Sequence, residues 1–175
     1  MEGTGSLLFD VKNKKIYCEL SVRADPTLFC DFIGQFNKLS KNPYKAVVWH
    51  SYDPKGNPVY HTNVVMAILK DHVILCTDSI TDAKEKENVV KELTTDGYKI
   101  IDINFDEMLN MGGNMIMVQN KKGDHCVIMS DRARKGLRSH NLSELEKSYK
   151  IISSDLHMIE TIGGGSARCM VAELF

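Results

Sequence analysis

The chain has 175 residues, 43% of them hydrophobic, enough for one globular domain of ordinary size with a buried core. Its 22 basic and 23 acidic residues give a formal net charge of −1, which argues against nucleic acid as the main partner, since such binders carry a basic excess. Five widely spaced cysteines without a C-x-x-C pair argue against a disulfide framework or structural zinc; no apolar run reaches the roughly 18 residues of a membrane span and no signal sequence opens the chain, so the cytosol is the expected compartment.

In chain order, Gly3-Thr4-Gly5-Ser6 opens an apolar run, and a Lys-rich turn leads to a second run over residues 16–24. Two apolar runs around a polar turn predict a hairpin. Pro26 suits the first turn of a helix over 26–39, and a strand follows at 45–50. After a turn at 53–58, His61-Thr62-Asn63 enters a second hairpin, with runs at 62–69 and 72–79 around Lys70-Asp71. A helix is predicted over 82–95, its Lys84-Glu85-Lys86-Glu87 run forming a solvated face. The strand at 99–103 comes next, with Asp102 and Asp106 flanking its end. Gly112-Gly113-Asn114 enters a third hairpin around a turn at 121–124. A helix over 141–149 follows, where Ser143 and Glu146 have capping-box spacing, then a strand at 150–153. The segment 163–175 reads as the first strand of a further unit.

These elements repeat. The run from Gly3 through Ser21-x-Arg23-Ala24 recurs in register from Gly112 through Ser130-x-Arg132-Ala133, and a looser copy lies midway, from Thr62 through Ser79. The unit is about 55 residues long, a period that signals a repeat architecture. A ββαβ unit cannot bury its sheet and its helix alone, so neighbours must stack, and a ring of such units forms a propeller-like α/β domain. Residues 1–175 are read as a single domain with about three units and a fragment of a fourth. Because Glu2 already stands at the mouth of its unit, the chain is expected to be the C-terminal portion of a longer design.

In each unit a small-residue step enters the first strand: Gly3-Thr4-Gly5, His61-Thr62-Asn63, Gly112-Gly113-Asn114 and Gly164-Gly165-Ser166. In a ring these positions face a common axis. That expectation gathers Glu2, His61, Asn63, Asn114, Arg168 and Cys169 around one cavity. A thiol, an imidazole and a carboxylate converging there would meet the needs of nucleophile, base and orienting group. Cys169 has two readings: a core thiol in a closing strand, as for Cys18, Cys76 and Cys126 in their apolar runs, or a nucleophile beside the fixed cation Arg168. His61 reads either as an exposed residue at a strand entrance or as an acid–base group. His50, His72, His125, His140 and His157 read as structural or surface residues. Glu160 either lines the cavity or pairs with a surface cation, and the nine methionines read as core filler.

With these residues in hand, the chain resembles the guanidino-group modifying superfamily, which includes arginine deiminases, dimethylarginine hydrolases and amidinotransferases on a five-bladed α/β propeller, the pentein fold. The likeness is nearest to the amidinotransferase-like branch of citrulline-utilisation hydrolases. It rests on Glu2-Gly3-Thr4-Gly5-Ser6, Tyr60-His61-Thr62-Asn63-Val64, Gly113-Asn114-Met115 and Ile159-Glu160-x-x-Gly163-Gly164-Gly165-Ser166-Ala167-Arg168-Cys169-Met170-x-Ala172-Glu173, in family order over the whole chain. The resemblance implies that Cys169 attacks a guanidinium or ureido carbon to give a covalent thiouronium-type intermediate. His61 would serve as general acid and then base, and Glu2 would orient His61. Asn63, Arg168 and Asn114 fall among the substrate-binding positions, and no metal or organic cofactor is implied.

Two departures stand out. Asn63 occupies a place where the superfamily has a carboxylate, and a neutral amide suits a neutral ureido group better than a cation, which favours citrulline-like over arginine-like substrates. The family's two N-terminal modules have no counterpart here, which would leave exposed sheet edges and a route to self-association as a homo-oligomer. Three functional readings follow: a Cys-dependent hydrolase of a small guanidino or ureido compound, a truncated non-catalytic remnant, or an amidinotransferase. No nucleic acid or membrane partner is expected.

Overall fold

The computed structural model describes residues 2–172. The first unit opens with a single turn, α1 (Gly3–Ser6). Strand β1 (Leu7–Asp10) then pairs antiparallel with β2 (Lys15–Glu19), and β2 pairs parallel with β3 (Lys45–Trp49) across helix α2 (Pro26–Leu39). The second unit repeats this plan with the turn α3 (Thr62–Val65), strands β4 (Met66–Ile68) and β5 (His72–Leu75), helix α4 (Ala83–Thr95) and strand β6 (Lys99–Asp102). After a short α5 (Phe105–Leu109), the third unit comprises β7 (Ile116–Gln119), β8 (His125–Ser130), α6 (Asp131–Gly136), α7 (Ser139–Ser148) and β9 (Lys150–Ser154). Helix α8 (His157–Gly163) follows. The described residues thus form three separate three-stranded sheets in an open arc of ββαβ units, as the internal repeat predicts.

Local chemistry explains the boundaries. Asp25 caps α2 by accepting from the Leu28 N–H at 2.9 Å, with Pro26 in the first turn where a missing N–H costs nothing. Asp82 caps α4 by accepting from the Lys84 and Glu85 N–H groups. The parallel crossover in each unit needs a covering element, and the helix supplies it.

Two expectations are corrected. Helix α7 begins at Ser139, so Ser143 lies inside the helix and cannot cap it; Arg138 stands at the N-cap without a side-chain bond. The capping box is on α5, where Asn104 accepts from the Glu107 N–H and Glu107 accepts from the Asn104 N–H. The expected strand over 163–175 begins instead with the end of α8, the left-handed Gly164 and a tight turn at Arg168–Met170. Along the chain, that turn falls where α1 and α3 fall in their units. Residues 173–175 of the expected strand lie outside the described residues.

The middle strand of each of the first two sheets is buried along its whole length, β2 and β5 alike. Both faces are covered, one by the unit's own helix and one by its neighbour, which removes the alternation of a half-exposed strand. The main core runs through Tyr17, Trp49, Val65, Met66, Ile74, Leu75, Val127 and Met129, joining all three units. A second cluster, Leu7, Ile16, Cys18, Ala24 and Phe29, lies under α2. Each such apolar side chain contributes about 1.5–3 kcal/mol by leaving water. The polar seams between units also repeat. Lys15 at the start of β2 pairs with Glu92 (2.9 Å) and Asp96 (2.6 Å) of the next unit, and Lys45 pairs with Glu92. At the same position of β5, His72 meets Tyr149 (3.0 Å) and Glu144 (3.6 Å) of the third unit, and Lys99 pairs with Glu144. Among the described residues, no helix is long and apolar enough to cross a membrane.

Candidate active site

The entry turns of successive units are stitched together by a chain of hydrogen bonds. Thr62 Oγ1 donates to the Ser6 carbonyl (2.5 Å) and accepts from the Glu19 N–H (2.7 Å), joining the first and second entries. Asn114 Nδ2 donates to the Asn63 carbonyl (3.1 Å), joining the second and third. The Arg168 N–H donates to Asn114 Oδ1 (3.0 Å), joining the third to the final turn. Close approach requires glycine at two of these places. A Cβ on Gly113 would lie 2.2 Å from the Val64 carbonyl oxygen, and one on Gly5 would lie 2.8 Å from the His61 ring. The small-residue steps seen in the sequence are therefore the contact surface of the arc's inner side.

Cys169, an exposed residue with a free thiol, stands at the end of this chain. Asn114 Nδ2 lies 3.0 Å and Asn63 Nδ2 3.5 Å from Sγ, and Asn63 Oδ1 lies at 3.8 Å. The Asn114 amide has one orientation available. Its Oδ1 accepts from the Arg168 and Cys169 N–H groups, so its Nδ2 must face the Asn63 carbonyl and the sulfur. Both amides are buried, with Asn63 and Asn114 each 1% exposed, which fixes their geometry. Arg168 was expected to present its cation beside the thiol. Its side chain is buried and Nη1 donates to the Val171 carbonyl at 2.9 Å, while its backbone N–H helps hold Asn114. The polar atoms shown on the sulfur are thus those of neutral amides.

The second half of the site is charged and faces solvent. His61 Nε2 lies 2.7 Å from Glu2 Oε2, and the same oxygen accepts from Arg23 Nη1 at 3.2 Å. The hydrogen bond from His61, reinforced by Arg23, holds the Glu2 carboxyl below the usual carboxylate range despite some burial cost. His61 is not among the hydrogen-bond partners of Cys169 Sγ. Glu2, His61, Asn63, Asn114 and Cys169 are nonetheless all brought onto the inner side of the arc, in two linked clusters.

Four further residues bear on the site. Arg23 supplies the cation on Glu2. Tyr60 packs its ring 4.9 Å from that of His61 and donates its hydroxyl to the Gly164 carbonyl at 2.9 Å. Glu19 is fully buried behind Thr62, and neither of its carboxylate oxygens has a partner among the described residues. Burial pushes its carboxyl up to about 8, and the nearby Ser51 backbone N–H offsets only part of this. Glu160 is buried and accepts from Ser166 Oγ at 2.5 Å, so it buttresses the final glycine turn rather than pairing with a surface cation. Of these, Arg23 lies in the repeated Ser-x-Arg-Ala run and Tyr60 and Glu160 lie in the family-like segments, but only Glu160 was readable as a possible member of the site. The core readings of three cysteines hold: burial pushes the Cys18 thiol up to about 12 and the Cys76 thiol up to about 11, and Cys126 is also buried. An apolar cleft of about 340 Å³ lined by Leu20, Val22, Pro26, Tyr52 and Pro58 includes none of the six gathered residues.

Comparison with known proteins places this geometry in a family. The model of the eukaryotic N,N dimethylarginine dimethylhydrolase family matches residues 1–175. No curated protein matches the chain. Among solved structures, the chain is similar to apo ArgZ, an arginine dihydrolase from the ornithine-ammonia cycle in cyanobacteria, at 18% identity and a TM-score of 0.73, over 99% of this chain and 25% of that one. It is also similar to the N-terminal domain of an ArgZ variant covalently bonded to a reaction intermediate, at 19% identity and a TM-score of 0.67, over 97% of this chain and 54% of that one. A third likeness is to SxtG, an amidinotransferase from Microseira wollei in the saxitoxin biosynthetic pathway, at 12% identity and a TM-score of 0.67, over 94% of this chain and 42% of that one. At these identities the likeness is one of fold, and the chain spans between a quarter and about half of each of these structures.

Proposed function

Because the chain belongs to the N,N dimethylarginine dimethylhydrolase family, within the pentein guanidino-modifying superfamily, we propose that it hydrolyses a C–N bond at a guanidino or ureido carbon with Cys169 as nucleophile. The observation that carries this reading is the free Cys169 thiol, on an exposed residue, under the Asn114 and Asn63 amides, on the same inner side of the arc as the His61–Glu2 pair.

The chemistry follows from the two clusters. The thiolate adds to the central carbon of the substrate and forms a C–S bond. The C–N bond then breaks, and the departing amine takes a proton from His61. Glu2 holds Nε2 as the donor end of the ring, which leaves Nδ1 to give and take the proton. A water gives its proton back to His61 and adds to the thiouronium carbon. The C–S bond breaks, leaving a ureido product from a guanidino substrate and returning the thiolate to its amide donors. The neutral Asn63 amide beside the sulfur supports a preference for neutral ureido over cationic substrates. All the residues in this scheme are from the chain itself, and no step requires a cofactor.

The test is turnover of N,N-dimethylarginine, arginine and citrulline by the full chain and by Cys169→Ala. The reading expects amine or ammonia release that falls at least about 10³-fold in the variant. Equal release by both proteins, or none by either, would favour the non-catalytic reading. The likeness to SxtG supports a second reading, in which an amine replaces water in the last step. Product analysis with and without glycine or ornithine separates the two.

A further inference from the structure

We infer that Tyr60 is a positioning residue, its hydroxyl holding the Gly164 carbonyl so that the glycine turn carries Cys169 to a fixed place relative to His61. The inference rests on the reading of Cys169 and His61 given above.

Tyr60 touches both halves of the site. Its ring packs on His61 with centroids 4.9 Å apart, and the Arg23 guanidinium also lies over the ring, 5.2 Å from the centroid. Arg23 is also the cation paired with Glu2. The Tyr60 carbonyl accepts from Ser21 Oγ at 3.0 Å, so its backbone is anchored to the first unit. From this anchored base the hydroxyl reaches Gly164 at 2.9 Å.

The receiving end needs such an anchor. Gly163, Gly164 and Gly165 follow one another, and Gly164 adopts φ +71°, a left-handed conformation that glycine reaches without strain. A Cβ at Gly163 or Gly164 would meet nothing within 4 Å, so packing does not confine these two, whereas one at Gly165 would lie 3.0 Å from the Cys169 Cβ, and the far end of the turn is held by the Ser166–Glu160 bond. Among the described residues, no other hydrogen bond from outside α8 reaches residues 163–165. Four residues later the chain presents Sγ to Asn114 and Asn63. The phenol stays a proton donor across neutral pH: burial raises it, and so does the nearby Cys169, with Arg23 opposing in part. An O–H donor to a carbonyl is therefore available throughout the pH range in which the thiolate would act.

Tyr60→Phe removes the hydroxyl and keeps the ring on His61, which separates anchoring from aromatic packing. Three readouts apply to the full-length chain. Amide hydrogen exchange across residues 163–167 should rise about tenfold, the change that one hydrogen bond carries, with the core strands unchanged. The rate of Cys169 alkylation by 2-chloroacetamidine, relative to iodoacetamide, should fall by a similar factor, because only the amidine reagent needs the full site. On a substrate that the protein turns over, kcat should fall with KM unchanged. Tyr60→Leu, which also removes the ring, should lower kcat further. Unchanged exchange and an unchanged alkylation ratio in Tyr60→Phe would overturn the inference. If the unsubstituted chain shows neither turnover nor preference for the amidine, the proposed function fails, and the exchange measurement alone still decides whether Tyr60 holds the turn.

Discussion

The two halves of the site differ in the physics that holds them. Around Cys169 the contacts are neutral and buried: two asparagine amides, that of Asn114 fixed by backbone groups of the adjoining unit and the last turn, and that of Asn63 held by its burial. Around His61 they are charged and open, with the Glu2 and Arg23 side chains each about half exposed. A buried amide network holds a sulfur in one place because any rotation leaves donors or acceptors unpaired, at a cost of about 1–3 kcal/mol per group. An exposed ion pair holds much less firmly, but it keeps a carboxylate charged and an imidazole ready to exchange protons with substrate and water. The sulfur is thus held by buried amides, and the imidazole is held by an exposed charged partner.

This contrast can be broken experimentally. The largest effect is expected for His61→Ala, with kcat falling about 10²–10⁴-fold while alkylation of Cys169 by iodoacetamide changes little. A parallel collapse of both would mean that the halves act as one unit. Asn114→Ala should reduce kcat on the order of 10²-fold and slow alkylation as well, since it removes a preorganised donor from the sulfur; thermal melting on the same sample separates this from unfolding.

Glu19 offers a test through stability. Its carboxyl is held up to about 8 in the folded chain against an ordinary 4.5, so the native state keeps a proton that the unfolded state releases. Stability therefore falls as pH rises from 4.5 to about 8. Glu19→Gln removes this loss, and its advantage over the parent in urea unfolding should widen by about 1–3 kcal/mol across that window. A constant difference would show that the buried carboxyl is not protonated. The smallest effect concerns Glu2. Its folded value is lowered, so its charge persists above 4.5 and is lost only as pH falls through the lowered value. Carboxyl NMR should find this titration below 4.5, moving up towards 4.5 in His61→Ala. No movement would mean that His61 does not hold Glu2.

Local and periodic features were legible in the sequence, and long-range bonds were not. Pro26 marks the start of α2, and the repeated hairpins with their glycine-rich entries disclose three units and their convergence. Those signals are legible because propensity and period act over a few residues. The capping box at Ser143 and Glu146 misleads because spacing alone cannot say where a helix begins, and Ser139 begins it. Tyr60 and Gly164 meet across most of the chain, and no spacing announces such a bond. Asn114 was readable as a member of the site, but its role as a donor to sulfur depends on which way its amide faces, and two backbone N–H groups of the last turn decide that. Arg168 stands next to Cys169 in the sequence, but the direction of its side chain, with Nη1 donating to the Val171 carbonyl, is not readable from that adjacency.

The central claim is that Cys169 is built to attack an amidine-type carbon. Cys30 is an internal control, since it too is free and exposed but lies on α2, away from the amide cluster. The full chain should be treated with 2-chloroacetamidine at neutral pH and its modified cysteines mapped by peptide mass spectrometry. The account predicts that Cys169 is modified well ahead of Cys30, with the preference lost under iodoacetamide. Equal modification of the two thiols, or modification at Cys30 alone, would contradict it.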